Sequence, residues 1–299
     1  MQSEHALALG EIARVHGRVA VDVARPEQPV VEVDLSRTRL TDDVLVHLRE
    51  LPHLERLSLR YSETTPGAMG RLKDLANLQS LSLRYTRVTE EGLARLAELP
   101  NLRSLALYNS DVSTAALAQV GLMRGLETLA LYNSHVTDAA LERLQGLARL
   151  RSLSLYNTHI TDAGARHLRG LTELRGLSLG LTNITDYALE CLSGLTRLEW
   201  LYLSSTKVTD RGPGHLTRMA DLRELYLSRT QVNDIGLAAL RALARLRRLD
   251  LAETVVSDEG ISRLLPMPSL STLVVYDTRV SDLAVSRWMR LYPALRVSF

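Results

Sequence analysis

Cysteine, phenylalanine and lysine are nearly missing from this chain. A single cysteine, Cys191, excludes an intramolecular disulfide framework and fits a reducing compartment. No apolar run reaches the roughly 18 residues of a membrane-crossing helix, and mean hydropathy is close to zero, so no membrane partner is expected. The start, Met1-Gln-Ser-Glu-His-Ala, has no basic opening and no sustained apolar stretch. A secretory signal is therefore not expected, and a cytoplasmic location is, non-classical secretion aside. Lysine is confined to Lys73 and Lys207, and the net charge is only +2. Nucleic acid is disfavoured, because phosphate-binding surfaces carry clustered excess charge. There is no glycine-rich phosphate loop, no His-Glu-x-x-His and no cysteine pair. No cofactor is implied, and a non-enzymatic role is expected.

What the chain does have is a repeat. A 24-residue unit, Leu-x-x-Leu-x-Leu-x-x-Thr-x-Val-Thr-Asp-x-Gly-Leu-x-x-Leu-x-x-Leu-x-x, keeps register from Val30 to the C-terminus, about eleven times. A period in the twenties marks a solenoid, whose units bury their apolar faces only against neighbours. The opening Leu-x-x-Leu-x-Leu alternates as a short strand does, so Leu81 and Leu83 point inward while Ser80, Ser82 and Arg84 point outward. Stacked in parallel about 4.8 Å apart, eleven such strands make a sheet roughly 50 Å long.

The ninth position is always Ser or Thr, from Thr38 to Thr278, where a hydroxyl can satisfy backbone groups in the turn. Three residues on, Thr41, Thr89, Thr137, Thr161, Thr185, Thr209, Asn233, Ser257 and Ser281 read as helix N-caps, followed by an acid that suits the helix dipole. These acids are helix starters rather than catalytic carboxylates. Apolar spacing such as Leu93, Leu96 and Leu99 then gives a short helix. Pro213 should shorten or distort its helix. Residues 1–29 read as an N-terminal cap of helix plus strand, and 30–299 as the repeat domain. Trp288, Leu291, Tyr292, Leu295, Val297 and Phe299 supply C-terminal cover.

The repeat resembles the leucine-rich repeat family, and most nearly its bacterial type, similar to cysteine-containing and GALA-type repeats with Ser or Thr at the turn. The resemblance covers residues 30–299. It implies an α/β solenoid of horseshoe form, with a parallel sheet on the concave face and short helices on the convex one. It further implies a scaffold that binds another protein or peptide, with no catalytic residues shared across the family. Some relatives are F-box substrate receptors; the 29 residues ahead of the first unit are too few for an F-box.

Aromatic residues are only 4% of the chain, which makes their placement informative. Most fall at outward strand positions: Tyr61, Tyr85, Tyr108, Tyr132, Tyr156, Trp200, Tyr202 and Tyr226. Rings over a Ser/Ala floor offer large contact area at low entropic cost. Arg60 and Arg84 stand beside the first pair. Three consecutive units repeat the pattern as Tyr108-Asn109-Ser110-Asp111, Tyr132-Asn133-Ser134-His135 and Tyr156-Asn157-Thr158-His159. In register these give a tyrosine ladder, an asparagine ladder and a column of Asp111, His135 and His159. The last has ligand types suited to zinc, although polar contact with a partner is the better use of it. Stacking of a sugar polymer on the tyrosines is the rival to protein binding. Gly176, Gly180 and Leu181 leave room for a shallow apolar pocket beside Trp200. A stripe of Arg and His along the helices, from His47 to Arg287, reads as a solvated face.

Overall fold

A computed structural model describes residues 2–38, 42–62, 66–86, 88–109 and 112–299. The chain divides into two compact units, Met1–Leu150 and Arg151–Phe299.

In the N-terminal unit, helix α1 (Gln2–Arg14) precedes strand β1 (Arg18–Val21), which runs antiparallel to β2 (Val30–Asp34). From β2 the strands β3 (Arg56–Ser58), β4 (Ser80–Ser82), β5 (Ser104–Ala106) and β6 (Thr128–Ala130) follow in parallel, each shifted 24 residues from the last. Helices α2 (Asp42–His47), α3 (Pro66–Arg71), α4 (Glu90–Leu96), α5 (Thr114–Val120) and α6 (Asp138–Glu142) alternate with them. The C-terminal unit continues with β7 (Ser152–Ser154), β8 (Gly176–Ser178), β9 (Trp200–Tyr202), β10 (Glu224–Tyr226), β11 (Arg248–Asp250), β12 (Thr272–Val274) and β13 (Arg296–Ser298), all parallel. Its helices are α7 (Asp162–Ala165), α8 (Asp186–Leu192), α9 (Asp234–Leu240), α10 (Asp258–Leu264) and α11 (Asp282–Leu291). Between α8 and α9, Pro213 at the start of its segment leaves only a 3-10 turn, Gly212–Leu216, because proline has no amide to donate.

Each repeat closes its core from both sides. Leu81 and Leu83 of the strand segment and Leu93 and Leu96 of α4 are all buried, while Ser80, Ser82 and Arg84 lie on the open face of the sheet. The ninth-position hydroxyls act inside the turn, donating to strand carbonyls: Thr158 to Leu155 O (2.6 Å), Thr206 to Leu203 O (2.7 Å) and Thr254 to Leu251 O (2.6 Å). In the N-terminal unit, Ser62 and Thr86 also reach the preceding repeat, at Leu35 O (2.8 Å) and Leu59 O (3.2 Å), beside Arg60 O (3.4 Å) and Arg84 O (3.2 Å) of their own.

The helix caps form at Thr89, Ser113, Thr161, Thr185, Asn233, Ser257 and Ser281, whose side chains accept amide bonds. Thr137 is extended but makes no such side-chain bond. Thr41 lies outside the described residues. The following aspartates do more than start helices. Asp162 accepts both the amide (2.7 Å) and the hydroxyl (2.6 Å) of Thr185, the cap of the next repeat. Asp186 does the same to Thr209, Asp234 to Ser257 and Asp258 to Ser281. Where the next repeat carries glycine near its own helix start, it leaves room for this clamp: a Cβ on Gly260 would lie 2.1 Å from Asp234 Oδ1, and one on Gly212 2.7 Å from Asp186 Oδ1.

At the C-terminal end, Trp288 and Leu295 are buried, but Leu291 and Phe299 are 58% and 60% exposed, so only part of the expected cover is in place.

Candidate functional site

The turn that ends each strand dictates what the open face can carry. The eighth residue of every repeat from Arg37 to Asp277 has φ between +52° and +61°. Its amide donates to the seventh-position carbonyl of the next repeat, as Tyr61 does to Arg84 O (3.0 Å) and Asn109 to Tyr132 O (3.1 Å). Left-handed backbone suits Asn and Asp and costs other L-residues energy. Asn109, Asn133 and Asn157 therefore have a backbone reason to be where they are, separate from any partner. Tyr61, Tyr85, Leu181, Arg229 and Glu253 hold the same conformation against preference.

The aromatic residues do not form one ladder, because they occupy different positions in their repeats. Tyr61 and Tyr85, both eighth residues, stack at 4.2 Å and are 48% and 46% exposed. Tyr108 and Tyr132, both seventh residues, stack at 3.7 Å. The change of position breaks the row, and Tyr85 meets Tyr108 edge-on at 6.3 Å. Tyr108 departs from expectation: it is only 5% exposed, closed on one side by Tyr132 and on the other by the Arg84 guanidinium 4.0 Å from its ring centre. It supports its neighbours and offers no ring face to a partner.

Charge on this face of the N-terminal unit is unevenly matched. Arg60 Nε donates to Ser58 Oγ (3.1 Å) and Ser36 Oγ (3.3 Å). Arg84 Nε is shut off from water with no acceptor, and so is Ser82 Oγ. Burial lowers the pKa of Arg84, the neighbouring Tyr132 opposes this, and the charge of Arg60 adds to the lowering. The Tyr85 phenol is raised first by its hydrogen bond with Tyr61, and that of Tyr132 by burial. Two strands away, burial pushes Asp34 up, but bonds from Ser36 and the charges of Arg60 and Arg18 hold it below the usual carboxylate range.

In the C-terminal unit the rings gather on β9 and β10. Tyr202 stacks on Tyr226 at 3.9 Å, and Trp200 meets Tyr202 edge-on at 5.7 Å. The Tyr226 hydroxyl donates to Glu224 Oε2 (2.7 Å); burial first, then bonds with Tyr202 and Glu224, raise its pKa far above normal. Arg248 lies 5.5 Å over the Tyr226 ring, in register with Glu224; its Nε also lacks an acceptor. Arg229 Nε bonds both oxygens of Glu253 at 2.8 Å. The expected pocket beside Trp200 is filled. A Cβ on Gly176 would fall 1.8 Å from the indole, and one on Gly180 3.0 Å from the Tyr156 ring, so these rings cover the bare backbone.

Residues 148–208 match the family model described as leucine rich repeat. The repeat is a leucine-rich repeat. The leucine-rich-repeat fold extends well beyond those residues. The chain is similar to an internalin (inlF) from Listeria monocytogenes, with 20% identity, a TM-score of 0.66, and coverage of 98% of this chain and 94% of that one. It is also similar to the LRR protein LIC12759 of Leptospira interrogans, at 17% identity, TM-score 0.53, and coverage of 87% and 81%. At these identities the likeness shows the fold alone. No curated protein matches the chain.

Within the leucine-rich repeats, the remaining expected site residues fall as follows. Asp111 lies outside the described residues. His135 belongs to the N-terminal unit and His159 to the C-terminal one, and both are exposed. Among the described residues, no three His, Cys, Asp or Glu side chains gather as a metal would need. Tyr156 is 40% exposed. Hollows lined by Arg49, Pro52, Asp74 and Asn77 (about 220 Å³) and by Arg223, Arg245, Arg247 and Ser269 (about 380 Å³) lie away from the rings. Among the described residues, no helix is long and apolar enough to cross a membrane.

Proposed function

We propose that this chain is a non-enzymatic protein-interaction module that binds its partner on the open face of the sheet. Leucine-rich-repeat proteins generally mediate protein–protein contact. The observation that carries the reading here is the pairing of stacked rings with arginines on that face, in a chain with very few aromatic residues. Rigid rings with polar tips, beside guanidinium groups, are the side chains that dominate binding energy at protein interfaces. The repeat's carboxylates argue against catalysis. Asp162, Asp186, Asp234 and Asp258 are committed to holding the next repeat's cap, and catalysis needs tuned groups in a water-excluding pocket.

Protein is favoured over a sugar polymer by how the rings are used. A pyranose needs an open ring face, yet Tyr61 is stacked on Tyr85 with Arg37 5.3 Å over its ring. Tyr202 and Tyr226 likewise consume each other's faces. What remains are ring edges and hydroxyls, which suit a protein surface. The test is cross-linking to partners in the native host, comparing the natural chain with Tyr61→Ser/Tyr85→Ser and Tyr202→Ser/Tyr226→Ser variants. Loss of a specific partner in one or both variants supports the reading. Unchanged capture by both contradicts it.

A further inference from the structure

Two guanidinium groups of consecutive repeats adjoin on the open face of the N-terminal unit. Arg60 and Arg84 are the seventh residues of consecutive repeats, one strand spacing or about 4.8 Å apart along the sheet. The bond from Tyr61 N–H to Arg84 O fixes that alignment. Neither arginine has an ion pair among the described residues, whereas Arg56 is paired with Glu32 and Arg103 with Glu127. Arg84 is held flat on Tyr108, its Nε buried and without an acceptor, above the equally unpartnered Ser82 Oγ. Arg60 is tethered by its Nε to two serine hydroxyls, which leaves its terminal nitrogens without a hydrogen bond among the described residues.

A partly buried, unpaired charge beside a like charge is destabilising in the free protein, and an anion between the two would remove both penalties. The two oxygens of one carboxylate, each bonded at about 2.9 Å, can bridge groups at this spacing. The ring edges of the stacked pair Tyr61 and Tyr85, each about half exposed, form an apolar rim next to the charges.

We propose that this face takes an acidic segment of a protein partner, with one carboxylate bridging Arg60 and Arg84 and an adjacent apolar side chain lying against Tyr61 and Tyr85. The proposal rests on the interaction-module reading above and names the chemistry of the partner. A nucleic-acid backbone fits less well. The positive stretch is two repeats long and is bounded by Glu32 and Asp34 on β2, which would repel a regular series of phosphates.

The test uses the full chain and a fluorescein-labelled peptide of alternating Glu and Leu, followed by fluorescence anisotropy. Its Gln/Leu counterpart and a short oligo-dT serve as comparison probes. The acidic peptide is expected to bind, more weakly as NaCl rises, and at least about tenfold more tightly than the Gln/Leu peptide. Arg60→Gln/Arg84→Gln should reduce it to the Gln/Leu level while the thermal midpoint by circular dichroism stays as high as before. Should the double variant lose its fold, Arg60→Gln alone, which leaves the Arg84–Tyr108 contact intact, gives the same readout. Equal binding of the Gln/Leu peptide, unchanged binding by the arginine variants, or tighter binding of oligo-dT would overturn the proposal. So would self-association in sedimentation that the double variant abolishes, since a second copy would then be the occupant. Partner capture that fails in Tyr61→Ser/Tyr85→Ser but survives in the arginine variants would overturn the acidic segment and leave the module reading standing. Capture indifferent to every face variant would overturn both.

Discussion

The two units are built from one repeat but differ in how completely their polar groups are used. In the C-terminal unit four aspartates clamp the caps of the repeats that follow, and the face charges are mixed, with Arg229 held by Glu253 and Arg248 facing Glu224. In the N-terminal unit the same position is aspartate at Asp42 and Asp138, but the three repeats between them carry Pro66, Glu90 and Thr114 there. Among the described residues Arg60 and Arg84 on its open face have no ion pair, and two buried polar atoms, Ser82 Oγ and Arg84 Nε, have no partner. Where a repeat satisfies every local rule it is serving the fold. Where it breaks them, binding is the reason to look for.

The largest effect should come from removing a clamp. Asp234→Ala strips two bonds from Ser257 and leaves its amide and hydroxyl unpaired; the expected loss is about 1–3 kcal/mol in urea unfolding. Glu90→Ala, at the same position in the N-terminal unit, should change stability by less than about 0.5 kcal/mol. Gly260→Val, which drives a side chain into the Asp234 carboxylate, should cost a comparable ~1–3 kcal/mol. Equal effects at Asp234 and Glu90 would erase the contrast between the units.

The next effect concerns the left-handed eighth position. Leu181→Asn should stabilise by roughly 1 kcal/mol, because asparagine tolerates the conformation that leucine resists; Leu181 is 41% exposed, so little core is lost. The matching change Asn157→Ala should destabilise by a similar amount, about 1 kcal/mol, with no loss of partner binding. Binding lost with stability intact would restore Asn157 to the contact surface.

Glu253→Gln sharpens the comparison of the two faces. Freed of its carboxylate, Arg229 should give the C-terminal unit a weak, salt-sensitive affinity for the Glu/Leu peptide, seen in anisotropy, with no measurable change in unfolding. The smallest effect is at Asp34. Its folded pKa lies below that of an ordinary aspartate, so its contribution is present above the ordinary value and is lost as pH falls through the lowered one. Asp34→Asn should flatten the acid limb of the stability profile slightly and leave neutral pH nearly unchanged.

Much of the fold was legible in the sequence because one period repeats the same physical solution. The inward leucines, the hydroxyl column and the helix broken at Pro213 follow from alternation, hydrogen-bonding capacity and a missing amide. What stayed hidden depends on contacts between repeats. The clamp joins Asp162 to a residue 23 positions on, and its only trace in the sequence is the Asp-x-Gly spacing. The left-handed position was signalled by Asn109, Asn133, Asn157 and Asp277, but Tyr61, Leu181 and Glu253 in the same column masked it. Tyr108 looked like its neighbours, and what takes it out of solvent is the guanidinium of the preceding repeat on one side and the Tyr132 ring of the next on the other. The likeness of Gly176 to an empty floor failed for the same reason: the indole that fills it comes from the next strand.

The central claim is that the partner is held by the open face of the sheet. Tyrosine-specific labelling of the chain, free and bound to the partner recovered from its host, tests this most directly, because Tyr187 on α8 is 57% exposed and serves as an internal reference. The account requires Tyr61 and Tyr85 to be protected on binding while Tyr187 labels as in the free chain. Protection of Tyr187 with Tyr61 and Tyr85 still fully reactive would place the partner on the helices and contradict it.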